Sequence, residues 1–379
     1  MAIQNIYYIV NDKILFNPFL AQYELFKSKK PIKFYCKDDE YDKLDWTKEP
    51  ELSMDALMDL HIINLRNKYE RLILMWSGGT DSHTIYLTCK RNNIHLDEII
   101  IKYSNELRRE YPPQHVDWLI KNHYDPTTII TPWDEYDSEN RKIAVANEDW
   151  IFRNIGDLFK FGGGATTTTT YEHCERNHGG HRWGIIAGHE KPHIETKDGF
   201  HWACQIDNYN KITMGHQNLE SFFLEPMINL KQNHLALRFY KSPAVAKVRS
   251  SIQNRTRLTT GFSFEGKTVY ALWCAAMGRY PELTDGASHA QKIANLHIRK
   301  TQIAPKTHYD SFDQAHGEPM LLKFLEKQNP VAVTYVKGLL NLRAEKDFFA
   351  YLNDNVFDVQ DGVMSSKHIY SKHYKLGPI

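Results

Sequence analysis

The sequence predicts an α/β protein built on a doubly wound parallel sheet, and three observations carry that prediction. Short apolar runs recur at intervals of about 25 to 30 residues, the span of a strand–helix–strand unit: Leu72-Ile73-Leu74-Met75-Trp76, Glu98-Ile99-Ile100-Ile101-Lys102-Tyr103 and Thr127-Thr128-Ile129-Ile130. The first is apolar without alternation, the texture of a strand covered on both faces. Between the runs, His83 to Asn92 and a segment opened by Pro112-Pro113 and continuing through Trp118 and Ile120 read as crossover helices.

The elements can be taken in order. Ile6-Tyr7-Tyr8-Ile9-Val10 and Lys13-Ile14-Leu15-Phe16 flank Asn11-Asp12, a two-residue hairpin turn, and Pro31-Ile32-Lys33-Phe34-Tyr35 adds a further strand. A polar stretch from Lys37 to Glu51 separates this small β element from a helix capped by Ser53, with Leu57, Leu60, Ile63 and Leu65 at roughly helical spacing. After the alternating region comes a low-complexity stretch, Gly162-Gly163-Gly164-Ala165 followed by Thr166 to Thr170, expected to form a flexible or substrate-gating loop. Trp183-Gly184-Ile185-Ile186-Ala187-Gly188 is another buried strand, and Lys197-Asp198-Gly199-Phe200 a hairpin turn leading into Trp202-Ala203-Cys204-Gln205-Ile206. From about Leu230 the texture is mostly helical. The expected organisation is a β element over residues 1–52, an α/β domain over 53–228 and a mainly helical region over 229–379.

Bulk properties narrow the class. The chain has 379 residues, 42% hydrophobic and 25% charged, as an ordinary globular protein does. Its 47 basic and 46 acidic residues give a formal net charge of +1, so no global field favours non-specific nucleic-acid binding. Neither a secretory signal nor an apolar stretch of about 20 residues is visible, so no membrane partner is expected. The five cysteines, Cys36, Cys89, Cys174, Cys204 and Cys274, never form a Cys-x-x-Cys pair, which predicts reduced thiols in a cytoplasmic protein.

The strongest local signal is Ser77-Gly78-Gly79-Thr80-Asp81-Ser82, set between the first apolar strand and a helix. Glycines allow a tight turn with inward-facing main-chain N–H groups, and a helix N-terminus attracts anions. The hydroxyls of Ser77, Thr80 and Ser82 add neutral donors. Asp81 beside a polyphosphate requires an intervening cation, which points to Mg2+.

This strand–SGGxDS–helix unit resembles the signature of the PP-loop (ATP pyrophosphatase) superfamily, whose fold is of the adenine nucleotide α-hydrolase type. There is no GxxxxGK[ST] loop. The resemblance implies that Ser77 to Ser82 hold the β- and γ-phosphates of ATP and leave the α-phosphate open to attack. Such enzymes adenylate an acceptor, release pyrophosphate, and let a nitrogen or sulfur nucleophile displace AMP. It also implies that Lys102 and Tyr103 lie against the adenine, with Asn105 and Glu106 towards the acceptor. A further similarity, to uncharacterised PP-loop proteins of tailed bacteriophages labelled sulfonucleotide-reductase-like or QueC-like, rests on three groups of residues. They are Gly188-His189-Glu190-Lys191-Pro192, then Glu220-Ser221-Phe222-Phe223 with Lys231-Gln232-Asn233-His234, and the closing Ser371-Lys372-His373-Tyr374-Lys375-Leu376-Gly377. It would place the protein in the cytoplasm of a phage host.

Other residues bear on the chemistry. Glu190 and Lys191 follow a buried strand, where Lys191 would stabilise charge on the α-phosphate; an ion pair in a surface loop is the plainer alternative. Cys174, His178 and His181, with His173 beside them, offer ligands of the kind Zn2+ accepts, though not at the spacing of a standard finger. The same side chains, with Arg176 and Arg182, suit an anionic acceptor equally well. Sulfonucleotide reductases carry a late catalytic cysteine, and no cysteine follows Cys274. The expectation is therefore an ATP- and Mg2+-dependent adenylating enzyme acting on a nucleobase, nucleotide, small molecule or nucleic acid. A sulfonucleotide reductase and a catalytically silent nucleotide-binding protein are the alternatives.

Overall fold

A computed structural model describes residues 6–15, 18–76, 80–103, 123, 125–134, 173–188, 192–205, 218–242, 257–258, 357–360, 363–366 and 369–379. The expected helix at Pro112-Pro113, the Gly162 to Thr170 stretch and most of the region after 242 lie outside these residues.

At the N-terminus, β1 (Ile6–Val10) and β2 (Lys13–Leu15) form the expected hairpin. Asn11 and Asp12 both take left-handed φ, 50° and 60°, which short polar side chains tolerate best and which a two-residue turn between twisted strands demands. β3 (Lys33–Cys36) pairs with the other edge of β1. Tyr8, Val10, Phe34 and Cys36 share the buried face, while Tyr7 and Tyr35 stack on the opposite one with ring centroids 4.3 Å apart. Helix α1 (Pro18–Ser28), which the sequence pattern did not announce, contributes Ala21 to this small core.

The polar stretch that follows is less of a linker than its composition implies. It contains the short helix α2 (Asp38–Tyr41), and both Tyr41 and Trp46 are buried. The Tyr41 hydroxyl donates to the Leu224 carbonyl at 3.0 Å, and Trp46 donates Nε1–H to the Tyr41 carbonyl at 2.9 Å.

Helix α3 (Met54–Lys68) starts where expected, the Ser53 side chain accepting from the Ala56 amide. Its buried stripe is Met54, Leu57, Met58, Ile62 and Leu65, whereas Leu60 and Ile63 are exposed. The expected stripe was therefore half right: the i, i+3, i+4 pattern runs through the methionines.

The parallel sheet comes next, with strand order β10-β7-β4-β5-β6. β4 (Arg71–Trp76) is central, β5 (Glu98–Tyr103) and β6 (Ile129–Asp134) lie to one side, and β7 (Trp183–Ala187) and β10 (Leu219–Ser221) to the other. All four pairings are parallel. Leu72, Leu74 and Trp76 pack beneath α3 and α4 (Thr80–Arg91), while Ile73, Met75 and Ile185 meet Cys174 on the opposite face. Burial on both faces explains the unbroken apolar run in β4. Gly184 is required by close packing, since a Cβ there would stand 2.6 Å from the Tyr69 ring.

A second sheet, antiparallel, has the order β11-β8-β9-β14. β8 (His193–Lys197) and β9 (Phe200–Cys204) form the expected hairpin, with Asp198 at φ 52° and Gly199 at φ 78°. β14 (Tyr374–Pro378) returns from the end of the chain to pair with β9, and β11 (Arg257–Leu258) pairs with β8. Helix α5 (Pro226–Lys241) is capped by Glu225, whose side chain accepts from the Ile228 amide, and it packs on this sheet through Leu230, Leu237 and Tyr240. After α5 every described element is a strand, including the hairpin β12 (Phe357–Gln360) and β13 (Val363–Ser366). The mainly helical region expected from about residue 229 is thus represented among the described residues by α5 alone.

Candidate functional site

In an open parallel sheet, ligands collect outside the carboxyl ends of the strands where the direction of winding reverses. Here the reversal falls between β4 and β7: the chain leaves β4 towards β5 on one side, and leaves β7 towards β10 on the other. The segment Ser77-Gly78-Gly79 links β4 to α4 at that point, its own three residues lying outside the described set. Helix α4 begins immediately at Thr80, three residues earlier than its apolar positions suggest. Thr80, Asp81 and Ser82 therefore belong to its first turn, where unpaired N–H groups and the helix dipole favour anions.

What surrounds this turn is tightly built. Ser82, His83 and Thr84 are buried, and Ile85, Tyr86 and Cys89 anchor α4 to the sheet. His83 lies edge-on to Trp76 at 6.5 Å and stacks on Tyr86 at 6.0 Å. The Tyr86 hydroxyl meets His123 Nδ1 at 3.1 Å, and burial lowers the pKa of His123. Asp81 is only partly buried.

The neighbouring strand end approaches closely. A Cβ on Gly188 would lie 2.7 Å from Ile85 Cδ1, 3.1 Å from Phe223 Cε2 and 3.3 Å from the Asp81 carbonyl carbon. A side chain here would make Ile85 and Phe223 give way, so glycine suits the close packing of the end of β7 against the first turn of α4. Glu190 and Lys191 follow within three residues of that contact but lie outside the described residues, as do Asn105 and Glu106. Lys102 and Tyr103 end β5 at the same carboxyl edge, paired in register with Trp133 and Asp134 of β6.

The remaining expected site residues lie elsewhere. Arg182 precedes β7, and its carbonyl accepts from the amides of Glu70 and Arg71, so it sits at the amino edge of the sheet. Six residues of β4 separate the two edges, roughly 17 to 20 Å. Its guanidinium faces Glu70 at 3.6 Å. Arg176 is exposed on the helical turn over residues 173–178 that leads to the same edge. Neither arginine belongs with the turn after β4, and the expected role at the acceptor is corrected accordingly.

The histidine cluster has a different use. Glu98, 1% exposed at the start of β5, accepts from His173 Nε2 at 2.8 Å, His178 Nε2 at 2.7 Å and Thr131 Oγ1 at 2.5 Å. Burial acts to raise the Glu98 pKa, but these hydrogen bonds outweigh it and bring it down to about 2. Cys174 points instead into the core, where burial raises its thiol pKa, and exposed His181 faces Glu70 at 3.8 Å. The expected Cys174/His178/His181 ligand set is not assembled: the three side chains diverge, and His178 is turned onto a carboxylate. Among the described residues, the group whose ligand atoms converge is His193, Glu195 and Cys204, which the spacing gave no hint of.

The fold defines a class: an α/β protein with a five-stranded parallel sheet and a helix N-terminus at the switch point. Comparisons with protein-family models, with curated proteins and with solved structures returned no match. The four described cysteines are buried, and no described helix is long and apolar enough to cross a membrane.

Proposed function

We propose that the chain is an ATP pyrophosphatase of the PP-loop type, which adenylates an acceptor and releases pyrophosphate. One observation carries the reading: the SGGTDS segment spans the end of central β4 and the first turn of α4, at the reversal point of the parallel sheet. A helix N-terminus preceded by two glycines offers several main-chain N–H donors to phosphate oxygens, and Ser82 is built into the same turn.

The donors present suit Mg2+. Asp81 supplies a hard carboxylate oxygen in the first turn of α4, with hydroxyl-bearing Thr80 and Ser82 on either side. When bound, the ion would neutralise phosphate charge that otherwise repels Asp81. The rest is done by the chain. The turn would hold the β- and γ-phosphates; the close approach at Gly188 keeps the end of β7 against α4, and Glu190 and Lys191 follow it in sequence. An acceptor oxygen then attacks the α-phosphorus, the bond to the β-phosphate breaks, and pyrophosphate leaves with the electron pair. Lys191 would offset charge on the α-phosphate. Lys102 and Tyr103, at the same edge, are suited to the base.

The second step, attack by a nitrogen or sulfur nucleophile with loss of AMP, would complete amide, amine or thio transfer to a nucleobase, nucleotide, nucleic acid or other small acceptor. A cytoplasmic setting and a phage origin go with this reading. No observation favours a reductase, since Cys89 and Cys174 are buried with raised pKa values and no cysteine follows Cys274. Pyrophosphate release from Mg2+-ATP with candidate acceptors tests the proposal, using Asp81→Ala as the comparison. The wild type should release it and the variant should not; ATP binding with no cleavage by the wild type under any acceptor would leave the silent nucleotide binder standing instead.

A further inference from the structure

We propose that His193, Glu195 and Cys204 bind a divalent transition-metal ion of the zinc type, with His373 as the residue that positions Glu195. The site is set by strand register. His193 lies directly opposite Cys204 in the β8–β9 hairpin, and Glu195 is two residues along β8, on the same face. The three ligand atoms all lie within 4.8 Å of one another, and His193 Nε2 is 3.6 Å from Glu195 Oε1. Ligands around a tetrahedral zinc ion stand roughly 3.3 to 3.8 Å apart, so small rotations close the set.

The opposite face of the same hairpin packs on α5 through Ile194 and Ala203, so the two ligand-bearing strands are held firmly. His193 and Cys204 are each 1% exposed, and Glu195 is half-buried. A thiolate, an imidazole and a carboxylate in one partly dry pocket make a donor set that suits zinc, cobalt or iron(II) and disfavours Mg2+. His373, from the segment just before β14, donates Nε2–H to Glu195 Oε2 at 3.0 Å. Such a bond fixes the carboxylate and leaves its other oxygen turned towards His193. Three protein ligands leave a fourth position for water or substrate, the arrangement of a reactive rather than a purely structural ion. His193 follows Gly188 by five residues, so the site lies within about 18 Å of the end of β7. Its existence does not depend on ATP being the ligand there.

Binding releases the thiol proton of Cys204 to solvent as the sulfur–metal bond forms. The test uses the full chain without an affinity tag, metal-stripped and titrated with Co2+. The wild type should take up one ion per chain and develop a near-ultraviolet thiolate-to-cobalt charge-transfer band. Cys204→Ala should abolish that band, whereas Cys174→Ala should retain it. His193→Gln should weaken affinity by about 100-fold or more, and His373→Gln by about 10- to 100-fold while the band stays in place. A folded wild type that binds no stoichiometric Co2+, or a band that survives Cys204→Ala, overturns the proposal. If Cys204→Ala does not fold, the wild-type stoichiometry and the His193→Gln titration decide it, and an unchanged affinity in His193→Gln counts against it.

Discussion

Single residues here divide between those that hold the fold and those proposed to serve the nucleotide. Glu98 belongs to the first kind. Its folded pKa is depressed, so its stabilising contribution is complete above the unfolded value of about 4.3 and is lost as the pH falls towards about 2. Glu98→Gln is expected to lower stability by about 1.5 to 3 kcal/mol at pH 7, the worth of charged hydrogen bonds. Urea denaturation should show the gap between variant and wild type closing as the pH falls through that window; a gap independent of pH would contradict the assignment. Asp81 belongs to the second kind. Asp81→Ala is expected to reduce pyrophosphate release by about 100-fold or more, with circular dichroism checking that the variant is folded. The sequence singled out Asp81, and the structure places it in the first turn of α4. It mistook the histidines for ligands because adjacency along the chain says nothing about Glu98, which reaches them from 75 and 80 residues away.

At the level of elements, strands and turns were the most legible. Continuous apolar runs marked β4, β5 and β7, and the pairs Asn11-Asp12 and Asp198-Gly199 marked their hairpins, because those signals are local. The buried Tyr41 and Trp46 were missed, since what orders them is contact with residues far along the chain: Leu224 for Tyr41, and Tyr374 for Trp46, whose rings stack at 4.6 Å. The His193, Glu195 and Cys204 group was not singled out, because only strand register brings His193 opposite Cys204. Packing between elements also gives a test. Gly184→Ala would push a Cβ into the Tyr69 ring, which carries hydrogen-bonded Glu220 at 2.5 Å. A loss of about 1 to 3 kcal/mol is expected from this overpacking, read as a lower urea midpoint; a neutral substitution would mean that β7 and the end of α3 are not in contact.

Across the whole molecule, the two sheets are joined through α5, which packs on the antiparallel sheet and, through Ile228, on the core under the parallel one. The chain end closes this arrangement. Tyr374 and Leu376 are buried in β14, and Lys372 pairs with Asp42. Removing residues 371–379 should cost about 3 to 6 kcal/mol from those two side chains alone. That is a large part of the stability of an ordinary domain, and circular dichroism with urea should register it as a marked fall in the midpoint. The sequence offered helical texture for this region and could not foresee that its last strand pairs with β9, because a long-range strand pairing leaves no periodic trace.

On the proposed reading, the segment after β4 leaves the bond between the α- and β-phosphates of ATP open to attack. Phosphorus NMR of Mg2+-ATP incubated with the protein and candidate acceptors resolves the products directly. AMP or an adenylated acceptor with pyrophosphate is the predicted result, and ADP with inorganic phosphate would contradict it.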